Sequence, residues 1–256
     1  MLVEMILWSV LFMVLLWLLH HFFPRLGRVL FWLSTLLFII TLAGGVFLFL
    51  DAREFREQMA VGKNTFLLEK DGRLLAGMEL ASPDLDRVTF FTGPDLIPMQ
   101  QDLDDRDLAS LKGDSYKLFL FSTDAFSTIG DVQIDRKSYP VSSLLGLLSS
   151  DHPLDDFVQE QMGNTTIPPA QMNLTVQAIQ RRLGIADPAG FKGYLFATLM
   201  GAAIQQDGPL FILDQFRRHH LTIHEETVMF RFLRVIPEGL FIDVVEKANL
   251  YKDSNP

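Results

Sequence analysis

The chain contains no cysteine. This absence excludes disulfide scaffolds, thiolate zinc sites, cysteine-ligated iron–sulfur clusters and cysteine nucleophiles. A domain of about 200 residues needs no disulfide, because a chain of that length buries a sufficient apolar core. The sequence also has no glycine-rich phosphate-binding loop and no Gly-x-Ser-x-Gly elbow, so two common signatures of nucleotide binding and serine hydrolysis are missing.

Charged residues are scarce in the first 50 positions. These carry only Glu4, Arg25 and Arg28, so the remaining 206 residues hold 20 of the 22 basic and 30 of the 31 acidic residues. The formal net charge is +1 for the first part and −10 for the second, which argues against nucleic acid as a partner. The apolar share of 49% is therefore an average over a very apolar N-terminal segment and an ordinary acidic domain.

Two apolar stretches in residues 1–50 have lengths suited to a bilayer core of about 30 Å. Residues 29–50 contain no ionisable side chain, and residues 3–23 form a less apolar stretch of similar length. Pro24 and Gly27 favour a tight turn between them. The alternative of a cleaved signal peptide lacks a basic residue before the apolar run and a small-x-small pattern after it. The sequence predicts a two-helix transmembrane hairpin that contacts the lipid bilayer.

The basic residues of the turn predict the orientation of this anchor. Arg25 and Arg28 place the turn inside, because short cytoplasmic loops accumulate arginine and lysine. The large domain is then extracytoplasmic, although Arg53 and Arg56 after the second helix compete with this assignment. Two glycosylation acceptor triplets, at Asn164 and Asn173, agree with an external domain.

The rest of the chain predicts one soluble α+β domain. Residues 51–62 form a charged helical connector, and residues 63–256 form the domain, with a small antiparallel sheet followed by a helical half. Asp71-Gly72 between two apolar runs indicates a hairpin turn. The expected strands are 65–69, 73–80, 88–91, 117–121 and 132–134, and the expected helices are 141–148, 154–162, 171–183, 189–206, 209–218, 225–235 and 240–247.

Small residues mark two helices as packing surfaces. Gly44 and Gly45 would let another helix approach the second apolar stretch closely. Gly193, Ala197 and Gly201 recur every four residues in the most apolar helix outside the anchor, where they predict close contact with another helix. The uninterrupted apolar part of this helix, residues 194–204, is too short to span a bilayer.

The densest set of metal-ligand types lies between residues 219 and 226. His220 and His224 are four residues apart, a spacing that puts both imidazoles on one face of a helix, and Glu225 follows directly, with His219 nearby. The competing interpretation is a cationic helix end followed by an acidic helix start, joined by a link at 221–223. No catalytic residue is assigned, and no cofactor is expected.

A second polar set combines Asp151, His152, Asp155 and Asp156 with Ser149 and Ser150. An aspartate beside a histidine suggests an acid–base pair, but catalytic geometry is spatial and no accompanying motif is present. A turn followed by an acid-rich helix start explains these residues more simply.

Three functions remain open. The leading hypothesis is a membrane-anchored, non-catalytic accessory or interaction protein with an extracytoplasmic domain, acting as a subunit of a larger membrane complex. The second is a membrane-tethered metal-dependent hydrolase that uses the cluster at 219–225. The third is a lipid or apolar ligand-binding protein that uses the Phe-rich sheet and the helix at 189–206.

Overall fold

The computed structural model describes residues 2–22, 26–81, 88–162, 168–185, 187–208 and 210–235. Its helices are α1 (Leu2–Phe22), α2 (Leu26–Val61), α3 (Gly93–Asp104), α4 (Leu108–Lys112), α5 (Val141–Ser149), α6 (Pro153–Gln161), α7 (Pro169–Leu183), α8 (Phe191–Asp207), α9 (Leu210–Arg217) and α10 (Val228–Val235). Its strands are β1 (Lys63–Lys70), β2 (Arg73–Ala81), β3 (Val88–Phe90), β4 (Lys117–Ser122), β5 (Val132–Ile134), β6 (Lys137–Tyr139) and β7 (Leu221–His224). The helix expected at 240–247 lies outside the described residues.

The chain divides into two compact units, Met1–Phe55 and Arg56–Pro256. Helix α2 passes through the boundary and ends at Val61, directly before Gly62. The N-terminal unit contains α1 and most of α2. The second unit contains the sheet and all the later helices.

The predicted two-helix transmembrane hairpin is wrong. Within the described residues only one helix, Val29–Phe55, is long and apolar enough to cross a membrane. A shorter apolar helix, Leu7–Leu18, lies within α1. Residues 23–25, which hold part of the expected turn and Arg25, lie outside the described residues.

The second unit is built on a mixed five-stranded sheet with the order β3-β2-β1-β4-β7. Strands β1 and β2 form the expected antiparallel hairpin. Its turn residues Asp71 and Gly72 have φ angles of +52° and +79°, the left-handed backbone that an Asp-Gly pair adopts readily. Strand β4 is parallel to β1, and β7 is antiparallel to β4.

Two features of the predicted domain are therefore wrong. The sheet is mixed instead of antiparallel, because β1 and β4 run in the same direction and are joined through β2, β3, α3 and α4. The chain is also not divided into a sheet followed by a helical half. Residues 221–223, expected as a link between helices, return to the sheet as part of its edge strand β7.

Helices cover both faces of the sheet, which explains the continuous apolar runs in its central strands. On one face, Leu67, Leu74 and Leu118 pack with leucines of α3 and α4. On the other face, Phe66 stacks on Phe119 with ring centroids 4.8 Å apart. Phe121, Phe126, Phe196 and Phe211 continue this second layer towards α8 and α9.

Candidate functional site

The histidine-rich segment does not form the helical pair that its spacing predicts. His219 is exposed, His220 precedes β7, and His224 is the last residue of this strand. Residues four apart in a strand are about 13 Å apart, so the extended backbone separates the two imidazoles instead of stacking them on one helix face. Nδ1 of His220 lies 3.2 Å from Oε1 of Gln215, a side chain that is itself buried.

Glu225 has lysine partners. Its carboxylate lies 3.0 Å from the ammonium of Lys112, and its backbone carbonyl accepts a hydrogen bond from Lys117. The hydrogen bond from Lys112 is the main reason why the pKa of Glu225 is lowered. Within the part of the chain that the structure describes, no three histidine, aspartate or glutamate side chains come together to hold a metal ion.

The other residues singled out by sequence are dispersed. Asn173 is an exposed residue within α7, whereas Asn164 lies outside the described residues. Arg28 lies in the first turns of α2. An ideal Cβ built on Gly44 or Gly45 would meet no atom within 4 Å.

The small residues of α8 do not share one environment. Gly193 is buried against the sheet, where an added Cβ would lie 2.6 Å from Cβ of Phe90 and 3.0 Å from the carbonyl oxygen of Gly77. Ala197 is half-buried, and Gly201 is exposed with open space around it. The close approach at Gly193 thus brings the start of α8 onto the sheet.

A cleft of about 710 Å³ opens beside this start of α8. It lies among the beginning of β2, the first turns of α3, the turn between α5 and α6, α7, and the 3₁₀ segment that precedes α8. Its volume is within the range of about 300–1,000 Å³ that is usual for small-molecule sites. Its apolar walls include Leu75, Phe91, Leu96, Ile97, Leu154 and Val176.

Hydrogen bonds hold two walls of the cleft in place. The side-chain carbonyl of Gln100 in α3 accepts from the backbone N–H of Leu74 at 2.7 Å, and its amide donates to the carbonyl of Gly72 at 2.9 Å. On the opposite side, the Ser150 hydroxyl donates to Asp156 and accepts from the backbone N–H of His152. The side chain of Gln100 therefore fixes the β1–β2 hairpin to α3, and Ser150 orders the turn before α6.

The charged groups of the cleft differ in burial. Lys192 is half-buried, whereas Arg73, Asp151 and Asp155 are exposed at the rim. The side chains of Arg73 and Asp151 are 72% and 86% exposed, and their closest charged atoms are 4.0 Å apart, which is a weak ion pair. The deepest charge in the cleft is therefore the ammonium of Lys192.

The environment of Lys192 disfavours its positive charge. Burial is the largest cause that lowers the pKa of this lysine, and the nearby guanidinium of Arg73 lowers it further, while Asp151 acts in the opposite direction. Lys192 also lies in the first turn of α8, where the helix dipole is positive. A lysine with a lowered pKa in a cleft is a typical feature of a functional site.

Sequence reasoning singled out Asp151, His152 and Asp155 but missed Arg73, Gln100 and Lys192. The structure brings these residues to one cleft from four separate parts of the chain. One signal for Lys192 was available, since it is the only charged residue in the apolar stretch 189–206. Nothing in the sequence near Arg73 or Gln100 distinguishes them from ordinary surface residues.

The third hypothesis used the Phe-rich sheet and the helix at 189–206 to hold an apolar ligand. Where Phe121, Phe126 and Phe196 meet, the space is filled by their own side chains, which are fully buried and in ring contact. The cleft lies at the N-terminal end of α8 and the beginning of β2. Comparisons with protein-family models, curated proteins and solved structures find no match to this chain.

Proposed function

We propose that this protein is a membrane-anchored binding protein whose second unit acts as an accessory module in a membrane assembly. The observation that carries the proposal is the helix Val29–Phe55, which has 27 residues. Only 6% of the most apolar part of this helix is buried inside the fold. Exposing a leucine or phenylalanine side chain to water costs about 1.5–3 kcal/mol relative to burying it. A lipid bilayer removes this cost for the whole helix at once.

One feature of the sequence before the apolar segment and one feature of the helix itself support an external domain and an assembly. Arg25 and Arg28 precede the apolar segment and favour the cytoplasmic side for that end. The open space at Gly44 and Gly45 permits a second transmembrane helix to approach closely, as small residues do in membrane helix pairs. The second unit then lies outside the cytoplasm, next to the partners of the assembly.

The cleft supports a binding role for the second unit. A concave, mainly apolar surface with a few polar groups is the usual character of a ligand site. Its walls come from β2, α3, α6, α7 and α8. The hydrogen bonds of Gln100 hold β2 to α3, and those of Ser150 order the turn before α6. We infer that the protein acts by holding a ligand in this cleft while α2 keeps it at the membrane.

A charge placed in the middle of the apolar helix tests the anchor. Leu42 is 59% exposed, so Leu42→Arg breaks no packing within the fold but costs about 2.5–3.5 kcal/mol at the centre of a bilayer. We expect wild-type protein to stay in membranes during alkaline carbonate extraction and Leu42→Arg to lose a large part of that fraction. Val61→Arg is the matched control, because Val61 is 71% exposed on the same helix beyond the span.

Two results would overturn the anchor. One is release of the wild-type protein by carbonate. The other is a mature chain that begins after residue 50 by intact mass, since this would identify the apolar helix as a cleaved signal sequence.

A further inference from the structure

Lys192 has a position that the fold itself does not explain. Its ammonium pairs with no carboxylate within 4.0 Å among the described residues, although Arg73 and Asp151 line the same cleft. It is half-buried, it shares the cleft with the guanidinium of Arg73, and it is in the N-terminal turn of a 17-residue helix. Each of these three conditions raises the free energy of a positive charge.

An anion in the cleft would relieve all three conditions. It would replace the water that burial removes from the ammonium, and it would separate the charges of Lys192 and Arg73. It would also interact favourably with the positive end of α8.

The apolar surface of the cleft indicates what kind of molecule the anionic group belongs to. Leu74 and Leu75 are 7% and 6% exposed on its floor, and Ile97 is 71% exposed at its edge. Ile97 is an exposed large apolar side chain next to an apolar concavity, an arrangement that a ligand with an apolar body would cover. The acidic residues Asp151 and Asp155 are exposed, so water screens their repulsion of an anion held deeper by Lys192.

We propose that this cleft binds an amphiphilic anion, whose single carboxylate or phosphate head contacts Lys192 and Arg73 and whose apolar body lies along Leu75, Phe91 and Val176. The inference rests on the binding role proposed above and names its ligand class. The same head chemistry occurs in a free amphiphile and in a lipid headgroup, so the experiment compares these two sources.

The test uses the full chain in nanodiscs of phosphatidylcholine, with empty discs as the blank, and ligand-observed NMR titration. Hexanoate is the probe, 1-hexanol supplies the same apolar body without the charge, and acetate supplies the charge without the body. We expect saturable hexanoate binding at one site per chain. Binding of 1-hexanol and of acetate should each be at least about tenfold weaker, because each loses one of the two interactions.

Variants of Lys192 test the contact with the head. Lys192→Met keeps an unbranched side chain without the charge and should weaken hexanoate binding at least about tenfold, whereas Lys192→Arg should stay within about threefold of wild type. Lys137→Met is the matched control, because Lys137 is an exposed lysine of β6 that does not line the cleft. The Lys192→Met variant should unfold at a temperature no lower than that of the wild type, because the substitution removes a disfavoured charge. A loss of hexanoate binding in this variant would then not be caused by a loss of folding.

The outcomes separate the possibilities. Hexanoate affinity that falls when the discs contain phosphatidylglycerol supports a lipid headgroup as the source, and unchanged affinity supports a free amphiphile. Equal binding of hexanoate and 1-hexanol, wild-type affinity in Lys192→Met, or no saturable binding of hexanoate would each overturn the proposal. Failure of the anchor would instead be seen in the carbonate extraction, which is independent of these titrations.

Discussion

At the scale of single residues, Gly193 shows how one missing side chain places the candidate site. The glycine lets α8 approach the sheet so closely that the carbonyl oxygen of Gly77 would lie only 3.0 Å from an added Cβ. Lys192 precedes Gly193 directly, so the same close approach sets the position of this lysine at the cleft. The spacing of small residues in the sequence indicated close packing along α8, but it did not indicate that Gly193 faces the sheet and Gly201 faces open space.

These two glycines make a matched pair for mutagenesis. Gly193→Ala is expected to destabilise the protein by about 1–3 kcal/mol, because Phe90 and the backbone of β2 must move to admit a methyl group. Gly201→Ala in the same helix is expected to be neutral or to stabilise by up to about 1 kcal/mol, because alanine has the higher helix propensity and nothing lies within 4 Å. Chemical denaturation of both variants checks this, and equal unfolding midpoints would contradict the close approach at Gly193.

At the scale of elements, β7 is the part of the fold that sequence reasoning assigned to the wrong class. Leu221 and Ile223 are buried and Thr222 is exposed, an alternation typical of a strand with one covered face. The pattern covers only four residues and follows a cationic helix end, so the sequence by itself favours a link between two helices. Its assignment depends on β4, which supplies the hydrogen-bonding partners and lies about 100 residues earlier in the chain.

Backbone pairing in β7 can be tested at Thr222. The N–H of Ser122 donates to the carbonyl of His220, and the alternation of antiparallel pairs then makes Leu120 and Thr222 a hydrogen-bonded pair. Thr222→Pro removes that donor and should destabilise the protein by about 2 kcal/mol or more. Thr222→Val keeps the donor and should change stability by no more than about 0.5 kcal/mol, because the side chain is exposed. A thermal unfolding curve for Thr222→Pro that overlays the wild type would exclude this pairing.

Other elements were predictable because their signals are local. The β1–β2 hairpin follows from Asp71-Gly72. Helix α7 ends at Leu183, directly before Gly184, whose φ of +70° is the left-handed conformation of a helix cap. Helix α3 is absent from the helices that the sequence predicts, because glycine and proline, which stand at its start, are residues typical of turns. The carboxylate of Asp95 accepts hydrogen bonds from the backbone N–H and hydroxyl of Thr92, and proline is tolerated in a first helical turn.

At the scale of the whole molecule, the apolar helix Val29–Phe55 is suited to a lipid environment and the acidic domain beyond it to water. The proposed orientation places the second unit outside the cytoplasm. Because the chain has no cysteine, a single introduced thiol reports on its own position without any background.

Lys70→Cys provides that report, since Lys70 is exposed beside the turn of the β1–β2 hairpin. We expect a membrane-impermeant maleimide to label this variant in intact cells, because the thiol lies on the outer side. Labelling after permeabilisation measures the total thiol and serves as the control. If the thiol reacts only after permeabilisation, the second unit lies in the cytoplasm and the assigned orientation is wrong.

The sequence by itself determined the features that depend on neighbouring residues and on composition. These are the exclusion of thiol chemistry, the apolar segment after Arg28, the hairpin at Asp71-Gly72 and the end of α7 at residue 183. Only the tertiary structure decided that β4 is parallel to β1, that 221–224 is a strand, and that Arg73, Gln100 and Lys192 border one cleft. The physical reason is that local backbone preferences act over a few residues, whereas pairing and burial join parts of the chain that no short pattern connects.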